Sequence, residues 1–211
     1  MRFQKYPSTF HLPWSRGINS DDKAMPNTNS FEGREVVITE KLDGENTTLY
    51  RNKIHARSLD SVNHPSRNWV KNFWGQIQHN IPDGIRICGE NCYAKHSIFY
   101  TDLESYFLGF NAWKDSTCLS WTSTLDLFNI LGITPVPILY EGIWDEDIAI
   151  DLSEDMDLNK SEGYVVRISD SFELDDFSSV VGKFVRQGHV QTDEHWMKQA
   201  ITPNLLGVIE L

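Results

Sequence analysis

Alternation of apolar and polar positions marks strands through much of the chain, and a three-to-four spacing interrupts it in a few places. Val, Ile, Thr and Tyr recur at short range in "VVITEKLDGENTTLYRNKIHARS". This predicts two or three short strands broken at Asp43-Gly44 and Asn52-Lys53, a hairpin-like region. In "PSRNWVKNFWGQIQHNI" the residues Trp69, Val70, Phe73, Trp74 and Ile77 fall three and four apart. That spacing predicts an amphipathic helix, stopped by Pro82-Asp83-Gly84. "IRICGENCYA" and "YFLGFNAW" read as two apolar strands around a polar link, and "TSTLDLFNILGI" as a helix capped by threonine or serine and ended by Gly132. "TPVPILYEGIW" is a proline-marked edge strand. "SEGYVVRI" and "SVVGKFVR" are two more β-rich runs, and "QTDEHWMKQAI" has a helical pattern. The lead-in "GINSDDKAMPNTNSFEG" is polar and turn-rich, so a loop is expected there. Strands and helices do not alternate regularly, which predicts an α+β fold with largely antiparallel sheets.

Length changes this picture little. The 211 residues suit one good core, so a single domain over 1–211 is expected. A hydrophobic fraction of 40% beside 23% charged residues is that of a folding chain and not of a disordered tail. No apolar run is long enough to cross a bilayer, and "MRFQKYPSTF" lacks the apolar core of a secretory signal. A cytoplasmic protein with no membrane partner is the expectation. Three cysteines without an export signal argue for reduced thiols. Cys88 and Cys92 with His189 and His195 could be read as a zinc set, but neither pair has a usual finger spacing, and buried thiols are the alternative.

A net charge of −11 argues against a protein that coats nucleic acid nonspecifically. Its distribution is uneven. Arg51, Lys53, Arg57, Arg67 and Lys71 make a basic strip with only Asp60 among them, whereas Glu141 to Lys160 holds eight acids and one lysine and reads as a solvated face. Against this background Lys41, Glu90, Glu162 and Lys183 stand out as charges embedded in apolar, β-rich runs. Burying them is costly unless they meet one another, a metal or a ligand.

The string "EKLDG" around Lys41 resembles the lysine-x-aspartate-glycine signature of covalent nucleotidyltransferases, the polynucleotide ligases and messenger-RNA capping enzymes. Further strings resemble that superfamily's later motifs in their usual order: "ARS" at Ala56 to Ser58, "CGEN" at Cys88 to Asn91, "YFLGFN" at Tyr106 to Asn111, "EGYVVR" at Glu162 to Arg167 and "GKFVR" at Gly182 to Arg186. Together they span residues 40 to 186. The strongest likeness is to ATP-dependent RNA ligases of the phage nick-sealing type, which share a glutamate directly before the lysine, here Glu40.

The resemblance implies a nucleotidyltransferase fold, the cofactors ATP and Mg²⁺ (or Mn²⁺), and RNA ends or a nicked duplex as partner. It implies joining of a 3′-hydroxyl to a 5′-phosphate through a lysyl-AMP intermediate. A DNA ligase, a GTP-using capping enzyme or a catalytically inactive RNA-binding module are the alternatives. Lys41 would be the nucleophile, with Lys183 and Glu162 in catalysis. An amine that is mostly protonated at neutral pH needs neighbours that lower its pKa, and Lys183, Mg²⁺ and burial would do so. Glu162, with Asp43, would hold the metal, and Asp43 would also orient Lys41. Glu90 would accept from a ribose hydroxyl, Glu40 with its backbone would read the adenine edge, and Arg57 would touch ribose or phosphate. Phe110, with Phe107 second, would stack on the base.

Two departures accompany the likeness. Val185 stands where the last motif commonly has a second lysine, so Arg186 would serve as the second cation or the site would run on one. Asn111 stands where aspartate usually ends the stacking motif. Only 25 residues follow Arg186, which implies a ligase without a sizeable C-terminal accessory domain. The N-terminal "KYPSTFHLPWSRG", the tail or an accessory protein would take over that domain's work.

Overall fold

The computed structural model describes residues 3–61, 63–188 and 200–207. They build two sheets. The first runs in the order β1 (Phe10–His11), β12 (Val181–Val185), β10 (Gly163–Ile168), β2 (Glu35–Lys41) and β9 (Ile138–Ile143). The second runs β11 (Phe172–Glu173), β7 (Thr117–Cys118), β6 (Phe107–Lys114), β5 (Ile85–Asn91), β3 (Glu45–Tyr50) and β4 (Ile54–Ala56), with β8 (Thr134–Pro135) also on β6. The named ladders are antiparallel except β1 on β12 and β8 on β6. The helices are α1 (Asn68–Ile77), α2 (Trp121–Leu131), α3 (Glu146–Asp155) and the single turn α4 (Phe177–Val180).

Strand alternation divides the first sheet's residues between its two faces. Val36 and Ile38 pair with Ile168 and Val166 and lie in one buried cluster with Tyr164, Phe184, Trp144 and Ala149 of α3. The Tyr164 hydroxyl donates to the Ala149 carbonyl at 2.5 Å, tying α3 to that face. The opposite set, Thr39, Lys41, Val165, Arg167 and Lys183, borders a cavity shared with the second sheet. On the second sheet α1 and α2 cover a separate cluster containing Leu49, Ile87, Phe107 and Phe128.

The helix over α1 and the end of α2 follow the sequence pattern. Ser120 accepts from the Ser123 amide at 3.2 Å, and Gly132 closes α2 in the left-handed region at φ 67°. The strands β5, β10 and β12 fall within the predicted runs, β6 runs one residue past its own to Lys114, and β9 is an edge strand as the prolines before it suggest.

Three readings change. Residues 39–50 are not a hairpin: β2 pairs with β10 and β9, β3 pairs with β4 and β5, and Leu42–Gly44 carries the chain from one sheet to the other. The acidic stretch contains α3, whose Asp145 caps its own N-terminus by accepting from Asp147 and Ile148 at 3.0 and 3.4 Å. Acids dominate its composition, but Ala149 and Ser153 are buried and Leu152 and Met156 pack against the core. Val180 belongs to α4 and not to a strand. The predicted helix over "QTDEHWMKQAI" lies, except for its last two residues, outside the described residues.

Candidate active site

The crossover between the sheets is what places Lys41. It is the last residue of β2, paired with Gly163, and its Nζ lies 2.5 Å from Oε1 of Glu162. Glu162 is 1% exposed, whereas Lys41 retains 25%. Gly163 makes the pairing possible: its φ is 149°, and a Cβ there would lie 2.0 Å from the Phe184 carbonyl oxygen of β12. Glu162 is therefore delivered to Lys41 where β10 enters its ladders with β2 and β12.

Asp43 holds the crossover. Its Oδ2 accepts from the Ser97 amide and hydroxyl, both at 2.7 Å, and from the Ile98 amide at 2.8 Å. Its own amide donates to the Tyr100 hydroxyl at 2.9 Å. The next amide, of Gly44, donates to Glu90 Oε1 at 3.2 Å, so Glu90 of β5 is turned toward the same end of the site. Lys183 enters from β12, with Nζ 3.7 Å from Asp22 Oδ1.

These groups surround a cavity of about 1010 Å³. The second sheet contributes Phe110 and Asn111 to its wall, and the strap of residues 6–10 and 21–23 contributes another wall. Its charge is tuned by burial and by neighbours. Burial alone would lower the Lys41 amine, but Glu162, then Glu90 and Asp43, outweigh it and hold the pKa above its ordinary value. Lys183 goes the other way: burial, with help from Lys41 and Arg57, outweighs Asp22 and Glu162 and lowers it. Burial, with Glu162 and Asp43 as like charges, pushes Glu90 up to about 8 against the pull of Lys41.

The sequence from residue 34 to 185 matches a family model described as RNA ligase. The chain belongs to the RNA ligase family. Solved structures agree on the fold. An archaeal ATP-dependent RNA ligase superposes with a TM-score of 0.59 at 14% identity, over 86% of this chain and 48% of that one. The RNA ligase of Naegleria gruberi does so in a structure with PPi, with a TM-score of 0.53 at 19% identity, and in a mutant with ATP and Mn, with 0.52 at 16%; each covers 86% of this chain and 57% of the other. The chain thus spans about half the length of the structures it matches. No curated protein matches it.

Within this RNA ligase domain, Lys41, Asp43, Arg57, Glu90, Glu162 and Lys183 all border one cavity. Arg57 reaches it with Nη2 donating to Ser8 Oγ at 3.0 Å. Glu40 borders it too, but pairs with Tyr164 on the other face of the sheet. It also borders a second concavity of about 310 Å³ with Leu152, Met156 and Ser161. Burial raises its pKa while Ser161, as a hydrogen-bond partner, lowers it.

Three expectations need correction. Phe107 does not reach the cavity: it is fully buried against Phe73 and the α1–α2 cluster. Phe107 and Phe110 are three apart, so strand alternation already sets them on opposite faces, and a bulge in β6 follows. Cys88 pairs with Asn111 and Gly89 with Gly109, leaving Phe110 as the extra residue. Phe107 and Ala112 then share the helical side, while Phe110 and Asn111 border the cavity. Arg186 does not itself border the cavity: its Nη1 donates to the Leu158 carbonyl at 2.8 Å and its Nη2 to Ser97, at the cavity's edge, at 3.2 Å. Lastly, the protein groups alone do not give the expected lowering of the Lys41 amine: carboxylates dominate around it and raise it.

Cys88 and Cys92 are buried free thiols, and His189 and His195 lie outside the described residues. Among the described residues no three His, Cys, Asp or Glu side chains are grouped to hold a metal ion, and no helix is long and apolar enough to cross a membrane. Sequence reasoning missed the Arg67–Glu45 ion pair beside the cavity, with Nε to Oε2 at 2.7 Å. It also missed Asp22, in the lead-in read as a loop, and His11, in the N-terminal segment read only as a substitute for an accessory domain. No local pattern marks these contacts, because each joins segments that only the fold brings together.

Proposed function

We propose that this domain is an ATP-dependent RNA ligase that loads AMP onto Lys41, passes it to a 5′-phosphate end, and lets a 3′-hydroxyl expel it. The observation that carries the reading is the contact of Lys41 with the buried Glu162 at 2.5 Å, opening onto a cavity that Glu90 and Lys183 also border. In the first step Lys41 Nζ attacks the α-phosphorus of ATP. The N–P bond forms, the bond to the bridging oxygen breaks, and its electron pair leaves with pyrophosphate. The amine must lose a proton to do this, and offsetting the charge of Glu162, the group that most favours the ammonium, lets that proton go to solvent.

A divalent cation suits the residues present. Glu162 is a buried carboxylate at the reacting amine, and Mg²⁺ is commonly held by one or two carboxylates with substrate phosphate oxygens and water. Bound at Glu162, Mg²⁺ would neutralise the carboxylate that most raises Lys41, and would offset charge on the phosphates. Asp43, with Oδ2 already accepting three hydrogen bonds, serves to orient the crossover. Glu90 suits a ribose hydroxyl, and Phe110, which borders the cavity, would stack on the base. Lys183 and Arg57 supply positive charge for the phosphates.

The test is incubation with Mg²⁺ and ATP or GTP labelled at the α-phosphate, followed by a denaturing gel. Label from ATP, absent in Lys41→Ala, is expected, and nicked RNA and DNA duplexes then distinguish the strand sealed. Label from GTP alone would move the assignment to capping chemistry. Label from neither would favour an RNA-binding module without turnover.

A further inference from the structure

The strap formed by residues 8–25 has no counterpart among the motifs read from the sequence, yet it is built into the first sheet. His11 pairs with Lys183 in the β1–β12 ladder, and the strap then returns to bridge Ala24 to His11. The His11 amide donates to the Lys23 carbonyl at 2.8 Å, and the Met25 amide donates to the His11 carbonyl at 2.7 Å. These bonds bring Asp22 back over the strand that carries Lys183.

A chain of side-chain contacts closes the loop. The Val185 amide donates to Ser15 Oγ at 3.0 Å, and Ser15 Oγ lies 2.7 Å from His11 Nδ1. Because that oxygen accepts from Val185, its own hydrogen can go to Nδ1, which leaves the imidazole proton on Nε2. His11 Nε2 makes a close contact with Asp22 Oδ2 at 3.3 Å, outside hydrogen-bond alignment, and that oxygen accepts from the Asn19 amide at 3.1 Å. The other oxygen, Oδ1, faces Lys183 Nζ at 3.7 Å. Contacts that start at the backbone of β12 thus return to a side chain of β12. Burial, followed by the nearby Lys183, holds His11 down to about 4, so near neutral pH it is the uncharged tautomer this chain requires. Ser15 and His11 are buried and do not border the cavity, whereas Asp22 and Lys183 do. The Ser–His–Asp set is accordingly a support and not a nucleophile with its base.

We propose that Asp22, held by His11 and Ser15, is a positioning residue that aims the Lys183 ammonium at the phosphate-bearing part of the cavity while Lys41 is loaded. The proposal rests on the ligase reading for its consequence in catalysis. It makes the strap a working part of the site, supplying in cis a carboxylate that fixes the cation of the last motif.

Two measurements on the full chain test it. In single-turnover loading with labelled ATP, Asp22→Asn is expected to slow AMP transfer to Lys41 about tenfold at saturating ATP. Asp22→Glu should recover part of the rate, and sealing of a pre-adenylated RNA end, which releases no pyrophosphate, should change much less. Equal slowing of both steps, or no slowing of loading, overturns the proposal. The second measurement needs no turnover: brief acylation of amines at one pH, read by mass spectrometry. Loss of the Asp22 charge should make Lys183 label several-fold faster in Asp22→Asn, with exposed Lys160 unchanged as the internal standard. Unchanged Lys183 labelling in correctly folded Asp22→Asn overturns the proposal. Absence of AMP loading in the wild type would instead remove the ligase reading.

Discussion

Gly163→Ala is the sharpest test of how the fold delivers Glu162 to Lys41. The added Cβ would lie 2.0 Å from the Phe184 carbonyl oxygen, 2.9 Å from its carbonyl carbon and 3.1 Å from Val185 Cα, all backbone atoms of β12. No side chain can swing aside to relieve this. Overpacking a rigid site costs about 1–3 kcal/mol, and holding a non-glycine residue in a sparsely allowed backbone region adds about 1–3 kcal/mol. Together they give about 2–6 kcal/mol, and about 3 kcal/mol is taken from the lower half of that range. At about 2–4 °C per kcal/mol for a domain of this size, Tm should fall by about 6–12 °C. Gly132→Ala calibrates the result: φ there is 67°, but no atom lies within 4 Å of the added Cβ. Only the left-handed strain remains, about 1–2 kcal/mol. Thermal melts and urea titrations of both variants separate clash from strain. Equal losses in the two variants, or an unchanged Tm for Gly163→Ala, would refute the argument that the β10–β12 approach positions Glu162.

Other outcomes follow from the same structure. Phe107→Ala should cost about 3–5 kcal/mol in urea unfolding, as a fully buried ring removed from the core, whereas Phe110→Ala should mainly raise the ATP concentration that half-saturates loading. Glu90, at about 8 against an ordinary 4.5, binds its proton more readily folded than unfolded. Its contribution is therefore present below about pH 4.5 and is lost as the pH rises through about 8, so Glu90→Gln should flatten that part of the stability–pH curve relative to wild type. Gly75 in α1 is exposed with no atom within 4 Å of an added Cβ. Gly75→Ala should raise stability by about 0.5–1 kcal/mol, measurable as a higher Tm with unchanged AMP loading.

What the sequence by itself determined is local. The three-and-four spacing of Trp69, Val70, Phe73, Trp74 and Ile77 produces α1, and Ser120 and Gly132 bound α2, because helix periodicity and caps act within a few residues. The order of charged motifs was equally legible: Lys41, Glu90, Glu162 and Lys183 are charges in β-rich runs, and the cavity they border is where such charges can meet. Tertiary structure decided the rest. A turn-like Asp43-Gly44 reads as a hairpin locally, but the partners of β2 and β3 lie far along the chain, and pairing with β10 and β5 draws them into different sheets. Alternation sets Phe110 opposite Phe107, and one bulged residue in β6 then brings Asn111 to the cavity beside Phe110, since a single insertion reverses the period of two. The Lys41 amine is raised and the Lys183 amine lowered because field and burial depend on neighbours dozens of residues away. No periodicity in the chain encodes such distances; they exist only once the two sheets have closed around the cavity.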